Sequence, residues 1–289
     1  MTPHNNPLSI SSGYLLNNGI LIPRLGYGTY KTGSPDECAA AVSEAIATGY
    51  RLIDCAASYG NEKSVGEALR ASGLPRCDLF VCSKVANTER GYDSTLRAFE
   101  RTLDDLGLTY LDLYLIHWPV TPAQSPDWRN INDKTWQALE RLMSEGAVRS
   151  IGVSNFTLPY LEPLLLKARR LPVVNQLEYN PGTTQPETVG FCEARNIRIE
   201  AWSPLGRQRI FDNETLRRIA EAHGRTVAQV CLRWEMQNGV IPIPKSSNPD
   251  RIRQNADIFD FELTAAEMRA IDLLPPFGGS GLAPETITF

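Results

Sequence analysis

Short apolar runs and helix-like segments alternate along nearly the whole chain. The runs cover residues 25–28, 51–54, 79–83, 111–116, 148–153, 173–177, 197–202 and 240–243. Each is followed within a few residues by a helical pattern. Strands that always return through a helix lie parallel. Runs that are apolar on both faces fit a sheet covered on both sides. A closed barrel of about 250 residues is the simplest solution, and 289 residues with 42% hydrophobic content suit it. We therefore expect an α/β fold, a (β/α)8 TIM barrel, with residues 1–289 forming a single domain. An open doubly wound sheet competes. It calls for G-x-G-x-x-G after the first strand, and Gly26-Tyr27-Gly28-Thr29 matches that only in part.

The flanks add detail. Residues 14–16 and 20–22, joined by Asn17-Asn18-Gly19, read as a β-hairpin that precedes the alternation and suits the bottom of the barrel. Ser34 and Pro35 open a helix to Thr48. Further helices are expected at 61–71, 93–106, 133–145, 161–169, 187–195, 213–223, 227–236 and 249–255. Thr264 and Glu267 form a capping box for a last helix to Leu273. From Pro275 through Gly278 to Gly281 the composition reads as a short, flexible C-terminal tail, placed to fold over the barrel mouth.

Composition narrows the partners. Lys plus Arg number 29 and Asp plus Glu 33, a net charge of −4, which argues against nucleic acid or a membrane surface as partner. Six cysteines, Cys38, Cys55, Cys77, Cys82, Cys192 and Cys231, form no C-x-x-C pair and read as mostly buried thiols in a reducing compartment. His4, His117 and His223 are far apart, so no metal site is expected. The first residues show no basic region and no long apolar segment, and no run reaches membrane-spanning length. A cytoplasmic protein is the expectation.

The chemistry gathers around residues 49–69, GYRLIDCAASYGNEKSVGEAL. Asp54 ends a strand, Tyr59 lies in the loop beyond it, and Asn61 caps the next helix. The next two strands end at Lys84 and His117. In a parallel barrel such strand ends share one rim. Taken singly, Asp54 and Lys84 read as a structural ion pair, His117 as a core histidine and Tyr59 as a loop anchor. Taken together they fit protonation of a carbonyl oxygen. A phenol titrates at about 10, and an ammonium beside it lowers that value. Asp54 would hold Lys84, and His117 would bind the carbonyl oxygen. Tyr30 and Trp118 also fall at strand ends, where core packing is one reading.

The motifs LGYGTYK (25–31), LDLYLIHWP (111–119), VRSIGVSNF (148–156), NQLEYNP (175–181), AWSPLG (201–206) and IPKSSNPDRIRQN (243–255) occur in the order of the aldo-keto reductase family, which the chain resembles along nearly its whole length. The resemblance implies NADPH-dependent reduction of aldehydes or ketones, with hydride from nicotinamide and a proton from Tyr59. Asp54, Lys84 and His117 would support Tyr59, and Tyr30, Tyr59, His117 and Trp118 would meet the substrate. Ser154, Asn155 and Gln176 would hold the carboxamide. Trp202, where many relatives carry Tyr, would stack on the ring. Ser203, Leu205, Gly206, Lys245, Ser246 and Ser247 would face the phosphates, and Lys245 and Arg251 would favour NADP over NAD. Gln254, often Glu in relatives, and Asn255 would face adenine. Gly28, Thr29, Tyr30 and Asp54 complete the cofactor set.

The segment between Gly206 and Asn213 is shorter than in some relatives, which implies less gated cofactor release. The partner would be a small-molecule carbonyl, and the family default is a monomer. Some family members serve as channel subunits or lens proteins. A phosphate-binding barrel isomerase would leave Gln176 and Trp202 without a role.

Overall fold

Strand and helix alternate through the computed structural model, which describes residues 8–277 and 279–287. His4 and Gly278, singled out above, lie outside the described residues. The chain opens with the antiparallel hairpin of β1 (Gly13–Leu15) and β2 (Leu21–Pro23), in which Tyr14 faces Ile22. The parallel sheet comprises β3 (Gly26–Gly28), β4 (Leu52–Asp54), β5 (Phe80–Val85), β6 (Leu111–Ile116), β7 (Val148–Ser154), β8 (Val174–Glu178), β9 (Arg198–Trp202) and β10 (Ile241–Pro242). Each of these strands pairs with the next in the chain, which gives the 8-stranded sheet of an α/β barrel.

The crossovers are α1 (Pro35–Thr48), α2 (Glu62–Ala71), α3 (Tyr92–Leu106), α4 (Trp128–Ser144), α5 (Leu158–Leu165) and α6 (Pro186–Glu193). Both α7 (Glu214–His223) and α8 (Val227–Gln237) lie between β9 and β10, and α9 (Pro249–Ala256) and α10 (Ala265–Asp272) follow. Among the described residues no helix is long and apolar enough to cross a membrane.

Local chemistry explains most boundaries. The α1 capping box forms in both directions between Ser34 and Glu37, and Gly49 ends the helix at φ 114°. The expected box at Thr264 and Glu267 also forms. Some boundaries differ from the sequence reading. Asn61 precedes α2 but makes no capping bond; its amide donates to the Thr29 carbonyl at 2.8 Å and ties the Tyr59 loop to the first barrel strand. α4 starts at Trp128 rather than near Asp133, where the Trp128 indole packs edge-on against Tyr160 at 4.9 Å. β10 is only two residues long because Pro242 and Pro244 have no N–H to give a ladder.

The last strand and the first close the ring through isolated bonds. Gly28 N donates to Pro244 O at 3.1 Å. Tyr27 Oη donates to Ser246 O at 2.6 Å, and Ser247 Oγ to Thr32 O at 3.3 Å. The strands meet closely here: a Cβ on Gly26 would lie 2.7 Å from the Leu52 side chain and 2.8 Å from that of Ile243.

Two apolar cores flank the strands. The larger fills the space between barrel and helices. The smaller fills the barrel interior with Leu52, Phe80, Leu113, Leu115, Val174 and Ile241, and the hairpin adds Tyr14, Leu16 and Ile22 from below. Tyr14 Oη donates to Met236 O at 2.9 Å and Asn17 to Pro172 O at 2.9 Å, so the hairpin plugs the bottom as expected. Of the cysteines, all but Cys77 are buried.

One buried group works against stability. Glu235 on α8 is fully buried, and neither carboxyl oxygen has a hydrogen-bond partner among the described residues. Burial raises its pKa well above the usual carboxylate range. The folded state therefore holds this proton more tightly than the unfolded chain. Its contribution is most favourable below the unfolded pKa and is lost as pH rises toward the folded value. Glu235→Met is expected to raise unfolding free energy by about 1–3 kcal/mol, with a larger gain at alkaline pH than at mildly acidic pH. Urea unfolding at the two pH values checks this, and an equal or lower stability of the variant would contradict it.

Candidate active site

Asp54 is the last residue of β4, Lys84 lies near the end of the neighbouring β5, and His117 follows β6. Tyr59 closes a 3-10 turn, Ala57–Tyr59, stopped by Gly60 at φ 66°. These four residues, expected at one rim, come together there. Lys84 is fully buried. Its Nζ donates to both Asp54 oxygens, at 2.6 and 2.7 Å, and to Cys55 O at 3.0 Å. The ammonium lies 5.2 Å from the centre of the Tyr59 ring. That ring stands 5.6 Å from His117, nearly perpendicular to it, and 4.9 Å from Tyr30.

The electrostatics differ from expectation at one point. Lys84 does pull the Tyr59 phenol downward, but burial pushes it up more strongly and the Asp54 carboxylate adds to the rise. The net effect holds Tyr59 above the ordinary phenol range, so it keeps its proton at neutral pH. Burial opposes the charge on Lys84, but Asp54, Tyr59 and Cys82 outweigh it and raise Lys84 above the usual lysine value. Burial, reinforced by the Lys84 charge, holds His117 well below the usual histidine range. The imidazole is therefore neutral. Its Nδ1 lies 3.2 Å from Ser58 Oγ, a partner that carried no signal in the sequence. When Ser58 donates to Nδ1, the ring hydrogen sits on Nε2.

These groups open onto a cavity of about 410 Å³. Of the expected residues, Gly28, Tyr30, Asp54, Tyr59, His117 and Trp118 line it on one side. Ser154, Asn155, Gln176, Trp202, Ser203, Leu205 and Lys245 line it on the other. An adjoining cavity of about 480 Å³ shares Gln208 and Lys245 and adds Ser246, Ser247 and Arg251. Thr29, Lys84, Gly206, Gln254 and Asn255 line neither. Thr29 is buried and donates through both N–H and hydroxyl to Asp54 O, at 3.0 Å each. Gln254 is exposed on α9 and Asn255 is buried there.

Arg207, Gln208 and Leu282 also line the main cavity. The loop after β9 brings Arg207 and Gln208 there with left-handed backbone at Ser203, Gly206, Arg207 and Gln208. Leu282 arrives with the tail, which Ser280 anchors by donating to Glu178 Oε2 at 2.7 Å, and Tyr160 by bonding Glu285. The tail thus reaches the barrel mouth.

The donor set suits a nicotinamide nucleotide. Both amide hydrogens of Gln176 are committed, to Asp54 Oδ2 and Glu200 Oε2 at 2.9 Å each, so Oε1 is the atom left for a ligand. Trp202 is half-buried at the cavity wall and packs against the interior core with part of its ring. Its Nε1 donates to Asn155 Oδ1 at 2.8 Å, which leaves a ring face for stacking. Asn155, at φ 64°, also donates to His117 O and Ser154 Oγ, at 3.0 Å each. Lys245 and Arg251 form no ion pair among the described residues, which leaves two cations for an anionic group.

A barrel with a phenol over a buried Lys–Asp pair, next to a groove with free cations, has the make-up of a nucleotide-dependent oxidoreductase. Comparison with known proteins makes the class specific. The model of the aldo/keto reductase family matches residues 24–274. Glyoxal reductase of Bacillus subtilis (strain 168) is 46% identical over 283 residues, 98% of this chain and 100% of that protein. The crystal structure of an aldo/keto reductase from Brucella melitensis has TM-score 0.85 and 46% identity, covering 90% of this chain and 98% of that one. A Bombyx mori aldo-keto reductase, solved in complex with NADP, has TM-score 0.85 and 38% identity, covering 92% of this chain and 92% of its own. The chain belongs to the aldo/keto reductase family. It is an oxidoreductase with the family's NADP-binding barrel.

Proposed function

We propose that this chain, read as one domain, reduces aldehydes or ketones to alcohols with NADPH, and that Tyr59 gives the proton. The observation that carries the reading is the Tyr59 phenol packed between the His117 imidazole and the buried Lys84 amine at the floor of a cavity. Gln176, Trp202, Lys245 and Arg251 would hold the nucleotide. When bound, it supplies hydride to the carbonyl carbon.

This chain's own groups handle the oxygen. His117 Nε2 donates to the carbonyl oxygen and fixes its position. As negative charge gathers on that oxygen, Tyr59 transfers its proton and the alcohol is complete. The phenolate left behind faces the Lys84 ammonium, whose charge steadies it. Asp54 keeps Lys84 in place, and Trp118, 3% exposed, helps exclude water from the cavity. Proton uptake from solvent then restores Tyr59.

A carbonyl panel followed by loss of NADPH absorbance tests the reading. Glyoxal leads it because one relative bears the name glyoxal reductase; α-keto esters and keto sugars follow. Absence of turnover with every compound, alongside tight NADPH binding, would favour a binding module instead. The cofactor assignment has its own expected outcome. Lys245→Ala or Arg251→Ala should weaken NADPH about 10-fold to 100-fold more than NADH, since a charged hydrogen bond contributes about 1.5–3 kcal/mol. Equal losses for the two nucleotides would sink the 2′-phosphate assignment.

A further inference from the structure

A second buried carboxyl, Glu200, adjoins the reactive groups and has no part in the mechanism above. It lies on β9 opposite Gln176 of β8, and Trp202 is next but one along the strand. Glu200 and Trp202 therefore share the inward face. Glu200 is fully buried, its Oε2 accepts from Gln176 Nε2 at 2.9 Å, and its Oε1 has no partner among the described residues. The same Gln176 nitrogen donates to Asp54 Oδ2 at 2.9 Å.

We propose that Glu200 is a positioning residue of this active site: with Asp54 it clamps the Gln176 amide, so that Oε1 is presented to the nicotinamide nucleotide. The inference rests on the functional reading above and assigns a role to a residue that reading leaves idle.

The clamp follows from hydrogen-bond chemistry. An amide turned by half a rotation would set Gln176 Oε1 against the Asp54 carboxylate, acceptor against acceptor, and would give up the bond to Glu200 Oε2. With both hydrogens engaged, only one orientation remains. Without Glu200 a single bond to Asp54 holds the amide.

The clamp also has a titratable member. Burial pushes Glu200 up, the Asp54 charge adds to this, and Gln176 and Lys84 oppose it, leaving the group at about 8. The titratable groups facing it are Asp54 on β4 and Cys82 and Lys84 on β5. On β10 its neighbour is Ile241. With Glu200 neutral, one buried ammonium balances one buried carboxylate. A positive charge arriving in the cavity favours ionised Glu200, and a neutral ligand does not. The oxidised nicotinamide ring is cationic and the reduced ring is neutral. Loss of the Glu200 proton should therefore favour NADP+ over NADPH. The 2′-phosphate is common to both forms and cancels from their ratio.

Binding titrations by tryptophan quenching test the proposal, with NADP+ and NADPH at about pH 7 and about pH 9. In the wild-type protein the ratio of the two dissociation constants should move about 3-fold to 10-fold toward NADP+ across that range. Glu200→Gln keeps the acceptor and the volume but has no proton to lose. It should show a flat ratio across that range. Glu200→Leu removes the acceptor and should weaken both nucleotides about 5-fold or more. Wild-type affinities in Glu200→Leu, or the full pH shift in Glu200→Gln, would overturn the role while leaving the cofactor assignment intact. Failure of the wild-type protein to bind either nucleotide would overturn the functional reading, and the proposal with it.

Discussion

Lys84→Met is expected to lower unfolding free energy by about 3–5 kcal/mol and to abolish turnover. The lysine is fully buried, and Asp54 is 2% exposed. Methionine fills similar space but leaves a buried carboxylate with, among the described residues, only the Gln176 amide as side-chain partner. That uncompensated charge is the main cost. Converting the partner as well, in Lys84→Met with Asp54→Leu, should recover most of the loss, because an apolar pair can replace a buried ion pair at little cost. Activity should not return with the fold. Urea denaturation of wild type, single and double variants separates the two effects. A Lys84→Met protein as stable as wild type would remove the pair from its structural role, and an active double variant would remove it from the chemistry.

Tyr59→Phe is expected to lower kcat/KM by about 10²-fold or more, with NADPH affinity kept. The substitution removes one hydroxyl and preserves the ring contacts to Tyr30 and His117. Because burial holds the phenol above its ordinary range, its loss of the proton should leave the wild-type rate flat through neutral pH. Single-turnover rates and nucleotide titrations on the same samples make the comparison. Turnover close to wild type in Tyr59→Phe would assign the proton to another group.

The barrel and its reacting rim were legible because both depend on periodicity. Apolar runs repeat, and Asp54, Lys84 and His117 each interrupt the end of one. The direction of the Tyr59 shift was not legible, because it depends on how deeply a loop residue is buried, which no spacing encodes. Ser58 is one serine in a loop, and only folding sets it against His117. Arg207 and Gln208 reach the cavity through left-handed backbone that non-glycine residues do not announce. Leu282 comes from the tail, whose path follows from long-range bonds such as Ser280 to Glu178. Glu200 did leave a sign: it is an acid in the middle of a strand, on the face it shares with Arg198 and Trp202. Gln254 and Asn255 came from motif resemblance alone; they sit on α9, whose Arg251 lines the second cavity, and line neither cavity themselves.

Between β10 and β3 the ring of strands changes character. Elsewhere neighbouring strands share ladders, whereas here Gly28, Tyr27 and Ser247 each contribute one bond. Such a junction breathes more readily than a ladder, because each bond can break without its neighbours. Gly28 and Lys245, on opposite sides of it, both line the main cavity. A nucleotide bridging them would act as a clasp, and its departure and the loosening of the junction would be one event. Amide hydrogen exchange should report this directly. The β3 amides should exchange faster than those of β6 in the free protein and slow the most when NADPH is added. Slowing spread evenly over all the strands would place the clasp elsewhere.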